Sequence, residues 1–482
     1  MQELLNYLSV DHNFHSAVLW LGDFGQVKEV KQLCEQYALD RLIVVAGNVA
    51  QAEQQLAEET KNQPELYPEE IRIVEGIDSL ENLQETVLIL PTMPPLETLV
   101  GLAARKPRAL YGIVPNGMPA FEVWELFRGS CSRICLIGKR ECRPDEHLVW
   151  NRDTDVELSI IFPMYKVSAQ LRQCIDSVTA WKAPYVEYLF VDDGSPDDCA
   201  DIVQEYAARD PRIHLLQKKN GGCASARQYG LERANGRYIG FVDPDDFVEQ
   251  DMFRKLLARA MSGSYQIAWC GYQEYYDSTG ETKKIDDPMT WPYTDGTTEE
   301  GRIASLISGS RIAIWRCIFQ HRMLKQHQIG FHTDLPRFDD LPFKFEAFAV
   351  AKSVVCVPEH LYYYRLSRPG QDVAADDERL YVHFDIFRHL DAFLEKHSTR
   401  LLLDQLQIVK VNTHQWALQK LQPRFVKEYT ALAQKDLLHN AGVFLTRLSF
   451  RRKLNRTALA YFYAISFNRY KRVLSLNKKN KL

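Results

Sequence analysis

The most constraining feature of the sequence is a regular alternation of apolar and amphipathic segments between residues 158 and 261. Four apolar runs of strand length, LSIIFP, VEYLFVDD, IHLLQK and RYIGFVD, are each followed by a segment with helical periodicity. Strands that alternate with helices form a mainly parallel sheet flanked by helices. Ligands of such sheets bind beyond the carboxyl ends of the strands, so we expect functional residues directly after each strand.

Residues 16–150 repeat this alternation with the apolar runs SAVLWLGDF, RLIVVAG, IRIVEG, TVLILP, ALYGIV and RICLIG and the helical segments VKEVKQLCEQYAL and VAQAEQQLAEET. The pattern predicts a Rossmann-like α/β domain over residues 1–152, and the charged stretch CRPDEHLVWNRDTDVE is interpreted as the linker that follows it. Gly22-Asp23-Phe24-Gly25 lacks the G-x-G-x-x-G spacing of a dinucleotide site, and Gly47-Asn48 offers no acid for a ribose. The domain is weakly similar to degenerate class I methyltransferases, and we expect it to be structural or partner-docking.

The length and composition of the chain are those of a folded, multidomain protein. A chain of 482 residues leaves room for about three domains, and 46% hydrophobic with 25% charged residues excludes a mainly disordered or coiled-coil protein. We predict a second α/β domain over residues 153–375. Residues 376–482 have few strand signals and are rich in Leu, Gln, Lys and Arg, which predicts a helical extension.

The basic charge of the chain is concentrated at its C-terminus. The net charge of −4 gives no general attraction to nucleic acid, but residues 441–482 contain eleven Lys and Arg and no acid. Apolar residues recur there at helical spacing, namely Leu454, Ala458, Tyr461 and Ile465. The segment is therefore either a basic helix on an anionic membrane surface, with salt-sensitive vesicle binding, or a helix packed on the protein with a solvated basic face.

Cysteine usage and the termini predict the compartment. The ten cysteines contain no C-x-x-C pair, and Cys174, Cys270 and Cys356 lie in apolar or small-residue runs typical of reduced, buried thiols. The first residues lack the basic region of a signal peptide, and the apolar stretch 457–468 is too short to span a bilayer. We expect a cytoplasmic protein, with a peripheral position on the inner face of the cytoplasmic membrane as the further interpretation.

An acidic pair follows the strand RYIGFVD. Residues i and i+2 of an extended segment point the same way, so Asp243 and Asp245 would present two carboxylates side by side. Paired carboxylates suit Mg²⁺ or Mn²⁺ on a diphosphate, where the ion neutralises the charge of the leaving group. The pair also fits plain turn residues, and Asp246 is expected to N-cap the next helix.

Two further strand exits and a glycine loop would meet at the same edge of the sheet. Asp192 and Asp193 follow VEYLFV and could accept hydrogen bonds from a base or ribose, while Asp197 and Asp198 are expected to cap the following helix. The exit of the first strand offers Pro163 and Tyr165. In Asn220-Gly221-Gly222 the glycines permit close backbone approach to a ligand, and Arg227 on the next helix could reach a phosphate or base.

Taken together, residues 157–250 resemble the family 2 glycosyltransferases of the GT-A fold. Their strand, FPxY-like turn, VDDGS, NGG-x-x-x-AR and D-x-D-D elements recur here in order. The resemblance implies that Asp243 and Asp245 hold ribose, diphosphate and metal. It also implies nucleotide contacts by Pro163, Tyr165, Asp192, Asp193, Gly222 and Arg227.

The resemblance continues in the segment QIGFHTDLPRFDDLPFKFEAFAV, where the family carries its catalytic base. That role falls on Asp340, with Asp339 beside it, although the local sequence also fits a helix N-cap. Tyr364 and Arg365 resemble a family segment that closes over the donor diphosphate, and aromatic runs of this kind also serve packing. The resemblance also implies that Trp315 lies on the acceptor side of the site.

The sequence departs from the family pattern at Lys166, Gln228 and Arg316-Cys317, of which the last lies on the acceptor side. The resemblance implies an inverting, metal-dependent transferase that moves a sugar from a nucleoside diphosphate, expected to be UDP, to a saccharide or lipid-linked glycan. Its use would be the assembly of capsule or lipopolysaccharide. A sugar nucleotidyltransferase and a non-catalytic assembly scaffold are the alternatives, and no nucleic acid partner is expected.

Overall fold

The computed structural model divides the chain into two compact units, one over Met1–Asp155 with Met261–Ser264 and one over Val156–Ala260 with Tyr265–Leu482. The residues that the structure describes are 16–22, 30–31, 33–34, 39, 41–46, 49–62, 64–68, 70–74, 80, 83, 86–91, 93–114, 118, 120–128, 131, 133–140, 143–151, 156–286, 299–309, 311–366, 375–397, 399–438 and 454–479.

The described part of the first unit is an α/β sheet with three flanking helices. Its strands are β1 (Ser16–Gly22), β2 (Arg41–Ala46), β3 (Glu70–Val74), β4 (Val87–Leu90), β5 (Ala109–Ile113), β6 (Arg133–Arg140) and β7 (Arg143–Asn151), in the order β3-β2-β1-β4-β5-β6-β7. The pairs from β3 to β6 are parallel. This is the strand order of dinucleotide-binding sheets, which confirms the Rossmann-like prediction. The helices are α1 (Val49–Asn62), α2 (Leu96–Ala104) and α3 (Ala120–Arg128).

The interpretation of CRPDEHLVWNRDTDVE as a linker is wrong for most of its length. Arg143–Asn151 is strand β7, which pairs antiparallel with β6 at the edge of the sheet. The run His147-Leu148-Val149-Trp150 has the strand propensity that this requires, and charged residues are tolerated on edge strands. The boundary predicted near residue 152, residues 23–25, residues 47–48 and most of the helix predicted over 27–39 lie outside the described residues.

The second unit opens with the predicted strand and helix series. The strands are β8 (Leu158–Met164), β9 (Val186–Asp192), β10 (Ile213–Gln217) and β11 (Tyr238–Phe241), all paired in parallel in the order β10-β9-β8-β11. Between and after them lie α4 (Ser168–Thr179), α5 (Cys199–Ala207), α6 (Cys223–Leu231) and α7 (Met252–Met261). Strands β8 and β9 are buried throughout, as expected for a sheet covered on both faces.

Beyond β11 the sheet is mixed in strand direction. The added strands are β12 (Phe247–Val248), β13 (Ile267–Tyr276), β14 (Glu281–Ile285), β15 (Cys317–Gln320) and β16 (Val354–Leu366), and the sheet continues β11-β15-β13-β16-β12 with β14 paired to β13. These pairs are antiparallel except for β13 and β16, which pair in parallel. Three helices accompany them, α8 (Glu299–Gly309), α9 (His321–Gln326) and α10 (Asp340–Val350). The α/β sheet with the GT-A order of elements confirms the fold class.

The C-terminal part is helical, as predicted, with α11 (Val382–His397), α12 (Arg400–Lys420), α13 (Pro423–Leu438), α14 (Arg456–Ser466) and α15 (Tyr470–Lys479). Leu454, Ala458, Tyr461 and Ile465 are all buried in one apolar cluster with residues of α12 and α13. Any membrane contact by α14 would therefore depend on its charges and on exposed side chains such as Phe467, which is 63% exposed. Residues 441–453 lie outside the described residues.

No helix in the described part of the chain combines the length and apolarity needed to cross a bilayer. The compact second unit includes α11 to α15 together with the sheet. The separation of residues 153–375 from 376–482 as two domains stays a prediction.

Candidate active site

A cavity of about 510 Å³ lies at the carboxyl ends of β8, β9 and β11. This is the edge of the sheet where the sequence predicted a ligand site. The predicted site residues that line the cavity are Pro163, Tyr165, Asp193, Gly222, Arg227, Asp243, Asp245, Trp315, Asp339, Asp340 and Tyr364. Two predicted residues, Asp192 and Arg365, are not among the residues that line it.

The exit of β9 is fixed by its two aspartates. The buried carboxylate of Asp193 accepts the backbone N–H groups of Gly221 at 3.0 Å and Gly222 at 2.7 Å, and it pairs with Lys218 Nζ at 2.6 Å. Asp192 accepts the N–H of Ser195 at 2.9 Å, which closes the turn after the strand. Asp193 therefore shapes the glycine loop, and Asp192 shapes the turn behind it.

Glycine is required where that loop meets the cavity. Gly222 has φ +86°, in the left-handed region that side chains disfavour, and no atom lies within 4 Å of the position a Cβ would take. The backbone conformation, and not a lack of space, therefore selects glycine. On the opposite rim Tyr165 is 44% exposed, and Lys166 Nζ lies 5.1 Å from its ring centroid.

Arg227 joins the two acidic regions of the cavity. Its buried guanidinium donates from Nη2 to Asp243 at 2.6 Å and from Nη1 to Asp339 at 2.8 Å. The resemblance implied a nucleotide contact for this arginine, but in this structure both terminal nitrogens hold carboxylates. A planar guanidinium suits such a bridge because its donors form a rigid fork. Arg227 therefore fixes the distance between the β11 exit and the start of α10.

The loop after β11 is held from behind by β16. Asp246 is 1% exposed and accepts the hydroxyl of Tyr362 at 2.7 Å and the N–H of Arg365 at 2.7 Å. The prediction that Asp246 caps a helix is wrong, since β12 follows directly and α7 begins only at Met252. The carboxylate instead anchors the loop to the core of the unit.

Arg365 completes this anchor. Its guanidinium donates from Nε to the carbonyl of Asp245 at 2.6 Å and from Nη2 to Gln173 at 2.7 Å, and Nη1 pairs with Asp277. Arg365 is therefore buried and engaged on three sides in this structure, and its implied diphosphate contact stays a prediction. Its role in the described residues is to support the backbone that carries Asp245.

The residues present at the β11 exit fit a divalent cation. Asp243 and Asp245 both line the cavity with partly exposed carboxylates, and carboxylate oxygen is the ligand that Mg²⁺ and Mn²⁺ prefer. Burial and the charges of Asp245 and Asp243 raise the pKa of Asp246 well above its usual range. Burial is the larger cause of this shift, and the charges of Asp245 and Asp243 add to it; a cation bound to these two carboxylates would offset that second contribution.

Asp340 is the first residue of α10 and lies between the cavity and the helices that follow. Burial raises the pKa of Asp340 to about 7, and the charges of Asp339 and Asp243 act in the same direction against the opposing charge of Arg227. Asp340 is not the N-cap residue, because it is already the first residue of the helix. Asp339 occupies the N-cap position but makes no side-chain capping hydrogen bond. Asp340 is thus a carboxyl group that can lose or take a proton near neutral pH.

Aromatic rings and two cations complete the site. The Trp315 ring stacks on Tyr362 at 4.1 Å and on Tyr364 at 5.6 Å. Sequence reasoning missed Lys218 and Arg311, of which Arg311 lines the cavity and donates to the Tyr272 hydroxyl at 2.8 Å. Lys218 ends the predicted strand run IHLLQK and reaches the site through its ion pair with Asp193, whereas Arg311 follows no predicted strand motif.

The aspartates expected to cap α5 behave differently from the prediction. Asp197 accepts the N–H of Ser168 at 3.0 Å and so stabilises the start of α4, a helix that precedes it in the chain. Asp198 occupies the cap position of α5 but makes no capping side-chain bond.

Gln228, one of the departures from the family pattern, accepts the N–H of Phe331 at 2.9 Å, which connects α6 to the segment before α10.

A second cavity of about 470 Å³ adjoins the first at Asp340. Arg311, Ile312 and Phe338 line both cavities. The remaining wall comes from α8, α10, α11 and α12, and the last two helices contribute His383, Asn412, Thr413 and Trp416. Burial lowers the pKa of His383 to about 3, so this imidazole is neutral at pH 7. The helical extension therefore contributes to the site, which the sequence did not predict.

Comparisons with known proteins agree with this architecture. The family model for glycosyl transferase family 2 matches residues 159–322. The uncharacterized glycosyltransferase EpsJ of Bacillus subtilis (strain 168) is 33% identical over 215 residues, covering 43% of this chain and 60% of the relative. The minor teichoic acid biosynthesis protein GgaB of the same organism is 40% identical over 104 residues, covering 21% of this chain and 12% of the relative. The chain thus spans less than two thirds of these proteins.

A solved structure of S. aureus TarS residues 1–349 in complex with UDP-GlcNAc has the same fold. Its TM-score is 0.54 at 16% sequence identity, and the match covers 68% of this chain and 92% of that one. The family match, the sheet order and the acidic strand exits all fall on the same residues. The chain contains a family 2 glycosyltransferase domain of the GT-A fold.

Proposed function

We propose that the chain transfers a sugar from a nucleoside diphosphate donor to a glycan acceptor in the assembly of a cell-surface polysaccharide. The observation that carries the proposal is that Asp243, Asp245 and Asp340 line one cavity at the carboxyl ends of the parallel strands. Such an edge is where sheets of this kind bind their ligands. The glycosyltransferase relatives and the teichoic acid biosynthesis protein GgaB support the reaction class and its use.

The donor would lie against the β9 and β11 exits. The Asp193-bound glycine loop presents backbone to the nucleotide, and Tyr165 offers a ring at the open rim. Asp243 and Asp245 would hold Mg²⁺ or Mn²⁺ beside the diphosphate, where the ion stabilises charge on the departing phosphate. A UDP-sugar is the proposed donor, since the TarS structure of the same fold was determined with UDP-GlcNAc.

Asp340 would act as the general base. It takes the proton of the acceptor hydroxyl as that oxygen attacks the anomeric carbon, while the bond from this carbon to the diphosphate oxygen breaks. Attack from the side opposite the leaving group inverts the anomeric centre. The position of Asp340 at the border of two cavities supports this assignment, because the donor and the acceptor must approach from different sides.

The pH profile tests the base. Because the pKa of Asp340 is raised to about 7, the carboxylate form is lost as the pH falls through that value, and kcat/KM should fall with it. Asp339→Asn removes the neighbouring negative charge and should move this acidic limb to lower pH. Initial rates across the pH range would check both results. An acidic limb that stays in place in Asp340→Asn would show that another group titrates.

The second cavity is the proposed acceptor site. Trp416 lies in edge contact with Phe338 and His383, with ring centroids 5.9 Å apart in both pairs, and Asn412 and Thr413 add polar groups nearby. An aromatic face beside polar groups suits a sugar ring. Trp416→Ala should therefore raise the acceptor KM about tenfold or more, as expected for loss of a well-placed aromatic contact, and leave donor hydrolysis unchanged. An equal loss of activity in the transfer and donor-hydrolysis assays would show that Trp416 supports the fold and not acceptor binding.

A further inference from the structure

A cluster of two histidines and two carboxylates lies outside both cavities. His332 and Asp334 belong to the segment between α9 and α10, Glu346 lies on α10 and His389 lies on α11. One potential ligand atom from each of His332, Asp334 and His389 lies within 4.8 Å of the others. None of the four lines either cavity described above, and the proposed transfer reaction assigns them no role. We call these four residues the His332 cluster.

Each imidazole of the cluster has its own carboxylate. His332 Nε2 lies 2.8 Å from Glu346 Oε1, and His389 Nε2 lies 2.9 Å from Asp334 Oδ2. The two rings stack with centroids 4.1 Å apart. The cluster therefore holds two carboxylates and two imidazoles close together, and a divalent cation bound there would offset the charge of the carboxylates.

The chemistry of the donor set indicates which cation fits. Imidazole nitrogen with carboxylate oxygen suits Zn²⁺ and similar transition metals, whereas Mg²⁺ prefers oxygen alone. A carboxylate that accepts the second N–H of a ligating histidine is the usual outer support of such sites, and the buried Glu346 is placed for it. Tetrahedral ligands about 2 Å from zinc lie roughly 3.4 Å apart, which small rotations of the partly exposed rings and of Asp334 can supply.

We propose that His332, His389 and Asp334 bind Zn²⁺ or a similar transition-metal ion, with Glu346 orienting His332. The ion would tie the segment 331–339 to α11. That segment ends at Asp339 and is followed directly by Asp340. The proposed metal site would therefore restrain the backbone that carries the proposed general base. The metal site is separate from the Asp243 and Asp245 site and does not depend on the proposed transfer reaction.

Cobalt provides a direct probe of this site. The full-length protein, stripped with chelator and supplied with excess Mg²⁺ to fill oxygen-only sites, should develop the visible absorption of nitrogen-coordinated Co²⁺ on titration, and Zn²⁺ should abolish it. In His389→Gln the glutamine can still donate a hydrogen bond to Asp334, but it is a poor metal ligand. This variant should therefore not develop the cobalt absorption. Glu346→Gln should weaken binding by about 10- to 100-fold.

Acid should also release the metal. Imidazole must be neutral and carboxylate ionised to bind a metal ion, so protons compete with the metal for these ligands and the cobalt signal should fade as the pH decreases. Because absorption is the readout, the result does not depend on whether the protein transfers sugar.

Two controls make the outcome decisive. His397→Ala removes another histidine of α11, outside the cluster, and should leave the cobalt titration unchanged. Zn²⁺ should raise the melting temperature of the wild type and of His397→Ala but not that of His389→Gln. Equal cobalt absorption in wild type and His389→Gln, or no absorption in a wild type of normal stability, would overturn the proposal and leave the cluster as two ion pairs.

Discussion

Replacing Asp340 with Asn should lower the turnover number by about two to four orders of magnitude, the range that a positioned general base contributes. Asn has nearly the same shape but cannot take the proton of the acceptor hydroxyl. Because the two side chains have nearly the same volume, the fold should be unaffected. Steady-state kinetics with saturating donor and acceptor would measure the loss, and calorimetry with the nucleotide would show donor affinity near that of the wild type.

The matched control for this substitution is Asp201→Asn. Asp201 is exposed on α5, away from both cavities, and removal of its charge should leave turnover unchanged. If Asp340→Asn kept more than about a tenth of the wild-type turnover, the proton would be accepted elsewhere, since even the weakest general-base contribution is roughly hundredfold. Asp339 would then be the first alternative.

Replacing Arg227 with Met should lower the free energy of unfolding of its unit by roughly 3–5 kcal/mol, the cost of leaving the buried carboxylate of Asp339 without its partner. Asp339 is 3% exposed and depends on Arg227 Nη1, and Asp243 depends on Nη2. Urea unfolding of the full chain, followed by tryptophan fluorescence, should show a lower midpoint. Activity should fall as well, because the bridge sets the spacing between the β11 exit and α10.

Three further variants separate this explanation from a general packing defect. Arg227→Met combined with Asp339→Asn should recover part of the lost stability, because the buried unpaired charge is gone. Arg227→Lys keeps the charge but lacks the fork that reaches both acids, so it should fall between wild type and Met. Arg172→Met breaks an exposed ion pair with Glu205 and should have little effect. A stable Arg227→Met single variant would contradict the bridge as a stabilising element.

The architecture of the second unit could be predicted because its signals are local. Each strand from β8 to β11 is an apolar run followed by a helix with clear periodicity, and the parallel order follows from that alternation. The same pattern predicted which edge of the sheet carries the cavity. Asp193, Asp243 and Asp340 line that cavity because they come directly after strands or begin a helix at its rim.

The contacts behind the cavity could not be predicted because they join residues far apart in the sequence. Asp246 reads locally as a helix cap, yet its partners Tyr362 and Arg365 come from β16. Asp197 likewise stabilises α4 and not the helix that follows it. Charge is a similarly weak guide here, since the charged stretch predicted as a linker forms the edge strand β7. In each case a tertiary partner outweighed the local preference.

The most direct test of the account is the release of nucleoside diphosphate from a panel of nucleotide sugars, measured with Mn²⁺, with Mg²⁺ and with chelator. Asp245→Ala is compared with the wild type, because Asp245 lines the cavity with a carboxylate whose backbone Arg365 holds. We predict release from one donor that requires a divalent ion and is lost in the variant. Release that is unchanged by chelator and by Asp245→Ala, or no release and no nucleotide binding across the panel, would contradict the proposed metal-dependent transfer.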